Sequence, residues 1–162
     1  MKRTDSLRDL PKGPAVYALC TGSGRNRSVS YVGETNSLRH RINEHLVRKN
    51  SSVTTGQSAV QLNTEFISEI LWWEDASFRE KMILEAAEII ATEILDPIMR
   101  SNRPSKGVAV EKSRESLFID RMHTLFTSEP HGILHLTSFQ QIVDQIKGLE
   151  ERVIALEKLL KE

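Results

Sequence analysis

Two apolar runs, AVYALC at residues 15–20 and SVSYVG at 28–33, are separated by the glycine-rich link TGSGRNR, and this arrangement restricts the possible folds more than any other feature. Each run predicts a strand of about six residues, with Gly13-Pro14 before the first and Gly22, Ser23 and Gly24 after it as turn chemistry. A link of this length joins the strands as an antiparallel hairpin with a loop longer than the tight two-residue type. A third run, inside VQLNTEFISEILWWED, alternates enough for a strand near 66–73.

Helical patterns fill the gaps between strands. Leu38, Ile42 and Leu46 recur at spacing four, with Thr35 or Asn36 placed to cap the helix and the pattern fading at Asn50. SFREKMILEAAEIIATEIL is the strongest helix, with Ser77 and Glu80 at capping-box spacing and Asp96-Pro97 forbidding continuation. Beyond it IMRSNRPSKG reads as a polar loop, SRESLFIDRMHTLF as an amphipathic helix and SEPHG as a break. Three strands with helices around them place the chain in the α+β class.

The tail has a different character. Ile142, Ile146, Leu149, Val153, Leu156 and Leu160 follow one another at spacings 4, 3, 4, 3 and 4, a heptad seam that Phe139 extends backward. On that register Arg152 takes a g position and Glu157 the next e position, which pairs charges across a parallel two-stranded coil and predicts a homodimer. Packing of the tail on its own domain is the alternative. The chain divides into a domain at 10–105, a helical extension at 106–136 and a coiled-coil helix at 137–162.

At 162 residues there is room for one compact domain plus an appendage. No apolar run is long enough to span a membrane, and MKRTDSLRDLPKG carries no apolar segment behind its charges, so the expected location is the cytoplasm. The single cysteine, Cys20, excludes an internal disulfide and reads as a small buried apolar residue in a strand. The net charge of zero conceals an asymmetry: residues 1–50 hold ten Lys/Arg against four Asp/Glu, while 51–162 hold twelve against eighteen. A basic end of that kind can meet a polyanion.

The residues that carry chemistry begin with AVY at 15–17 and YVG at 31–33. Arg41 follows ten residues after Tyr31, His45 lies one helical turn beyond Arg41, and Gly33 reads as a turn glycine ahead of SLRHR. This set resembles the GIY-YIG nuclease superfamily, over roughly residues 10–105. The resemblance implies a small three-stranded antiparallel sheet flanked by helices. It also implies a metal-dependent DNA endonuclease with Mg²⁺ (or Mn²⁺) as cofactor, RNA not being excluded as substrate.

By that resemblance Tyr17 is the general base, Tyr31 positions its network or the attacking water, and Arg41 stabilises the transition state. Asn102 stands where the family keeps an asparagine. The metal-binding glutamate is Glu88, nine residues before Pro97, or Glu85, one turn earlier in MILE; three positions apart, both project from one helix face. His45 has three readings: a proton shuttle, a phosphate contact or a packing histidine. Arg25, Arg27, Arg39, Arg48 and Lys49 would hold the nucleic-acid backbone without reading sequence.

Two departures stand out. Ala15 replaces the glycine of the first tripeptide, and Glu34 follows YVG where many relatives have lysine, placing a carboxylate near a phosphate unless it turns away or helps hold a cation. They motivate a rival reading as a catalytically silent nucleic-acid-binding or adaptor module dimerised through its tail. A further rival is a coiled-coil protein whose N-terminal domain binds a protein. No zinc-finger or helix-turn-helix signature is evident.

Overall fold

The computed structural model of the protein describes residues 1–22, 24–52, 54, 62–100, 107–136 and 139–159. Five strands form one mixed sheet: β1 (Lys2–Thr4), β2 (Ala15–Thr21), β3 (Ser28–Thr35), β4 (Ile67–Trp73) and β5 (Gly132–His135), in the order β1-β5-β4-β2-β3. β2 is antiparallel to both β3 and β4, β4 to β5, and β1 runs parallel to β5. The hairpin and the third strand stand where the sequence predicts them. The sheet is wider than the three strands expected, because the chain after SEPHG returns to pair with β4 and the N-terminal segment then pairs with β5. Strands of three and four residues carry too little alternation to be recognised locally, and their partners lie far away in sequence.

Alternation along β2 divides the core. Val16, Ala18 and Cys20 face one layer, while Ala15, Tyr17 and Leu19 face the other, the period of two that a strand buried on both faces imposes. The first layer is covered by α2 (Lys81–Leu95), α3 (Gly107–Lys112) and α4 (Ser116–Thr127), which bring Leu84, Ala87, Ile90, Ala109, Phe118, Met122 and Phe126 against Val16, Val32 and Trp73. The second layer is covered by α1 (Leu38–Asn43) and the N-terminal segment, through Leu38, Ile42 and Leu10. Cys20 is fully buried on the first face, and burial pushes its thiol up to about 12, so it behaves as the apolar residue expected.

Three local readings are corrected. Ser77 and Glu80 form no capping box: Asp75 Oδ1 accepts from the Ser77 amide at 2.9 Å and caps a 3-10 turn at Ala76–Arg79, and α2 starts only at Lys81. Asp75 is the better acceptor because its charge is also satisfied by the Arg121 guanidinium, which only the tertiary fold brings near. Ser37, rather than Thr35 or Asn36, takes the N-cap position of α1, and Thr35 Oγ1 accepts the Ser37 amide at 3.0 Å. Gly33 sits inside β3 and makes no turn.

α5 (Phe139–Leu159) is one continuous helix, and Ile146, Leu149, Val153 and Leu156 of its seam are about half exposed. The side chains of Phe139 and Ile142, and all of Leu160, lie outside the described residues. Among the described residues no helix is long and apolar enough to cross a membrane.

Candidate nuclease site around Tyr17

Pairing of β2 with β3 sets Tyr17 opposite Gly33 and Leu19 opposite Tyr31. The two tyrosines therefore share a face as diagonal neighbours, with ring centroids 6.2 Å apart. Gly33 is required by that approach: a Cβ there would lie 2.6 Å from the Tyr17 hydroxyl and 2.8 Å from Tyr31 Cε1. The glycine of YVG keeps room for two aromatic rings and has no conformational role.

α1 is anchored across the tyrosines by Leu38 and Ile42, both fully buried, and by the Leu38 amide donating to the Gly13 carbonyl at 3.2 Å. The helix widens into a π-helical turn at Glu44–Arg48, a feature often found at functional sites. That turn buries His45 beside both rings, with centroids 5.8 Å from Tyr17 and 6.0 Å from Tyr31. His45 Nε2 is 2.7 Å from the Tyr17 hydroxyl, and Nδ1 is 2.7 Å from Ser51 Oγ. Arg41, one turn earlier, is held by Glu44 Oε2 at 3.1 Å, and Glu44 also faces His40 at 3.5 Å.

The electrostatics converge on the phenol. Burial raises the Tyr17 hydroxyl well above its usual range, and Tyr31, Glu88 and Glu34 add to this, while Arg41 alone opposes it. Glu88 thus belongs to the Tyr17 environment, reached from α2, which packs more closely on edge strand β3 than on β2. Glu85 points to Lys81 Nζ at 3.8 Å along the same helix. Ala15, the first departure, is fully buried opposite Thr35; Glu34, the second, lies close enough for its charge to act on Tyr17. Asn102 lies outside the described residues; the chain leading to it, Ile98 and Met99, docks on β3 through amides donating to the Val29 and Ser30 carbonyls at 3.0 and 2.9 Å.

His45 is held down to about 4, first by burial and then by the Arg41 charge. It is neutral at neutral pH. An unfolded chain protonates this ring near 6.5, so on acidification the unfolded state takes up a proton that the native state refuses. The stability contributed by neutral His45 is complete above pH ~6.5 and lost progressively down to pH ~4, on the order of 3 kcal/mol in all. Denaturant melts of parent and His45→Gln between pH 4 and 7 check this: the parent's extra loss over that window is expected to vanish in the variant.

The basic residues divide into two groups. Arg25, Arg48 and Lys49 are exposed. Arg27 Nε contacts the buried Glu69 carboxylate at 2.5 Å, which also meets His135 Nδ1 at 3.2 Å, and Arg39 donates through Nε and Nη2 to the Leu10 carbonyl at 3.0 and 2.8 Å. Sequence reasoning missed Arg8 and Lys12, which line a cavity of about 390 Å³ with Arg39, His40, Ser37 and Asn43. It also missed Ser51, since a serine just beyond a helix carries no signal until the fold brings it to an imidazole.

Among the described residues no cluster of three or more His, Cys, Asp or Glu side chains suits a metal. The carboxylates whose charge acts on Tyr17, the half-buried Glu88 and Glu34, are hard oxygen donors. That set fits Mg²⁺ or Mn²⁺, which keep several waters and take one or two carboxylates.

A buried tyrosine pair, an imidazole on one hydroxyl, a guanidinium and a carboxylate whose charges act on the same phenol thus gather on one small mixed sheet. Residues 14–88 match the family model of the GIY-YIG catalytic domain, which supports the resemblance to the GIY-YIG nuclease superfamily. The domain implies nuclease activity in general and a nucleic-acid substrate. No curated protein and no solved structure matches the chain.

Proposed function

We propose that the chain is a metal-dependent endonuclease, acting in the cytoplasm, that hydrolyses phosphodiester bonds of DNA at the Tyr17 centre. The observation carrying this reading is the contact of the Tyr17 hydroxyl with His45 Nε2, in an environment that also feels Arg41, Glu88 and Glu34. Tyr17 is the general base toward water, and because its site disfavours the phenolate, its own proton must leave as it accepts another; His45 stands 2.7 Å away to receive it. Arg41 grips the phosphoryl oxygens, where a planar permanent cation stabilises the charge that grows in the transition state. Tyr31 walls the water site, and Asn102 is assigned to the phosphate.

Glu88 is the carboxylate that would hold the cation, with Glu85 the second choice. When bound, Mg²⁺ or Mn²⁺ supplies charge compensation on the phosphoryl and leaving oxygens. Arg25, Arg48 and Lys49, with what donors Arg27 and Arg39 keep, would position the backbone. A second copy of this chain would pair along the exposed α5 seam, setting two centres on one duplex.

Plasmid nicking with purified protein in Mg²⁺ or Mn²⁺ tests the proposal, beside an EDTA control. Nicked circles that appear with metal and vanish in EDTA are expected. Retained DNA binding without any nicking would replace it with the silent module that Ala15 and Glu34 favour.

A further inference from the structure

The Tyr17–His45 contact does not end at the imidazole. Behind it, His45 Nδ1 lies 2.7 Å from Ser51 Oγ, Ser51 Oγ lies 2.9 Å from Thr54 Oγ1, and Thr54 Oγ1 donates to the Ser51 carbonyl oxygen at 2.9 Å. Each hydroxyl has one proton, so the direction of the chain can be worked out from its far end. Thr54 spends its proton on the Ser51 carbonyl and can only accept from Ser51 Oγ. Ser51, having given its proton to Thr54, can only accept from Nδ1. A neutral imidazole with its proton on Nδ1 has a bare Nε2, and the Tyr17 hydroxyl must then donate to it.

We infer that Ser51 and Thr54 are positioning residues that fix His45 as the Nδ1–H tautomer, so that its Nε2 lone pair stands ready for the proton of Tyr17. The inference rests on the reading of Tyr17 as the base and assigns where that base sends its proton. As a water O–H bond breaks and the new P–O bond forms, the water proton goes to the Tyr17 oxygen and the Tyr17 proton to His45 Nε2, while the scissile P–O bond breaks with its electron pair on the leaving oxygen, which takes a proton from solvent. His45 becomes imidazolium for that interval and keeps Nδ1–H on Ser51. The chain orients and does not conduct, because it ends on a carbonyl oxygen, which holds a hydrogen bond without handing a proton on. With the opposite tautomer, Nε2–H would donate to the Tyr17 oxygen, occupying the lone pair that must take the water proton.

Thr54→Val is the sharpest probe. Thr54 borders an open cavity of about 420 Å³, so the nearly isosteric change disturbs little packing, yet it removes the Oγ1 that accepts the Ser51 proton. Long-range ¹H–¹⁵N spectra of the full chain labelled at histidine, assigned with His45→Gln, read the tautomer directly. The parent is expected to show Nδ1 protonated and Nε2 bare, Thr54→Val a measurable Nε2–H population, and Thr54→Ser the parent pattern again. In cleavage, Thr54→Val and Ser51→Ala are expected to lose about tenfold or more in kcat with KM nearly unchanged, and Thr54→Ser and Ser51→Thr to recover most of it.

An Nε2–H tautomer in the parent, or a tautomer that does not respond to Thr54→Val, overturns the inference. So does full kcat in both hydroxyl deletions. The spectra need no turnover: a parent that fails to cleave refutes the nuclease proposal while the tautomer still decides this one.

Discussion

Glu88→Gln is expected to reduce metal-dependent cleavage roughly a thousandfold or more, while Glu85→Gln keeps activity within a few-fold of the parent. The two carboxylates lie on one helix with similar sequence surroundings, so the contrast comes from the fold. Glu88 acts on the Tyr17 phenol, whereas Glu85 faces Lys81 Nζ at 3.8 Å. Glutamine keeps the volume and one carbonyl oxygen but removes the charge a hard cation requires. Single-turnover cleavage should therefore collapse, and Mn²⁺ affinity read by electron paramagnetic resonance should fall with it. DNA binding without metal should be unchanged or slightly tighter, since a negative charge near the phosphate has gone. A Glu88→Gln variant within tenfold of the parent, or a Glu85→Gln variant equally inactive, would move the cation site elsewhere.

Arg41→Ala is expected to cost about 10²- to 10³-fold in kcat, and Arg41→Lys to recover only part, because a point charge replaces a planar fork. The guanidinium is preset by Glu44 at 3.1 Å, so the interaction is organised before substrate arrives. A second consequence has a definite sign. Arg41 lowers both the Tyr17 and His45 values, so deleting it should let the His45 pKa rise from about 4 and push the Tyr17 phenol still higher. Titrating His45 by NMR in Arg41→Ala checks this without turnover. An unmoved His45 would mean that the guanidinium does not face the imidazole, and normal kcat would remove Arg41 from the chemistry.

Much of this was legible in the residues. Alternation in AVYALC and SVSYVG placed two strands, and the glycine-rich link between them allowed only a hairpin. The spacing of Tyr17, Tyr31, Arg41 and His45 pointed to one site, and the fold does bring Tyr17, Tyr31 and His45 into ring contact, with Arg41 and Glu88 acting on the same phenol. Gly33 was legible as necessary but for the wrong reason. Its need arises across the strand pair, from the Tyr17 ring.

Other features had no local signal. Glu69 looks like a solvated strand residue, yet it is buried, paired with Arg27, forty-two positions away, and faced by His135 on a strand too short to foresee. Ser51 and Thr54 gain meaning only when the π-helical turn swings His45 over them.

Side-chain period, turn residues and motif spacing act over a few positions or along one strand pair, and they alone determined the hairpin, the long helix before Pro97 and which residues are candidates for the site. Tertiary structure decided what depends on groups distant in the chain sharing low-dielectric space: which glutamate feels the phenol, which arginines are spent on buried partners, and how the imidazole is turned. Burial is the physical reason, because the charge and hydrogen-bond partner of a buried group are set by whatever the completed fold packs against it.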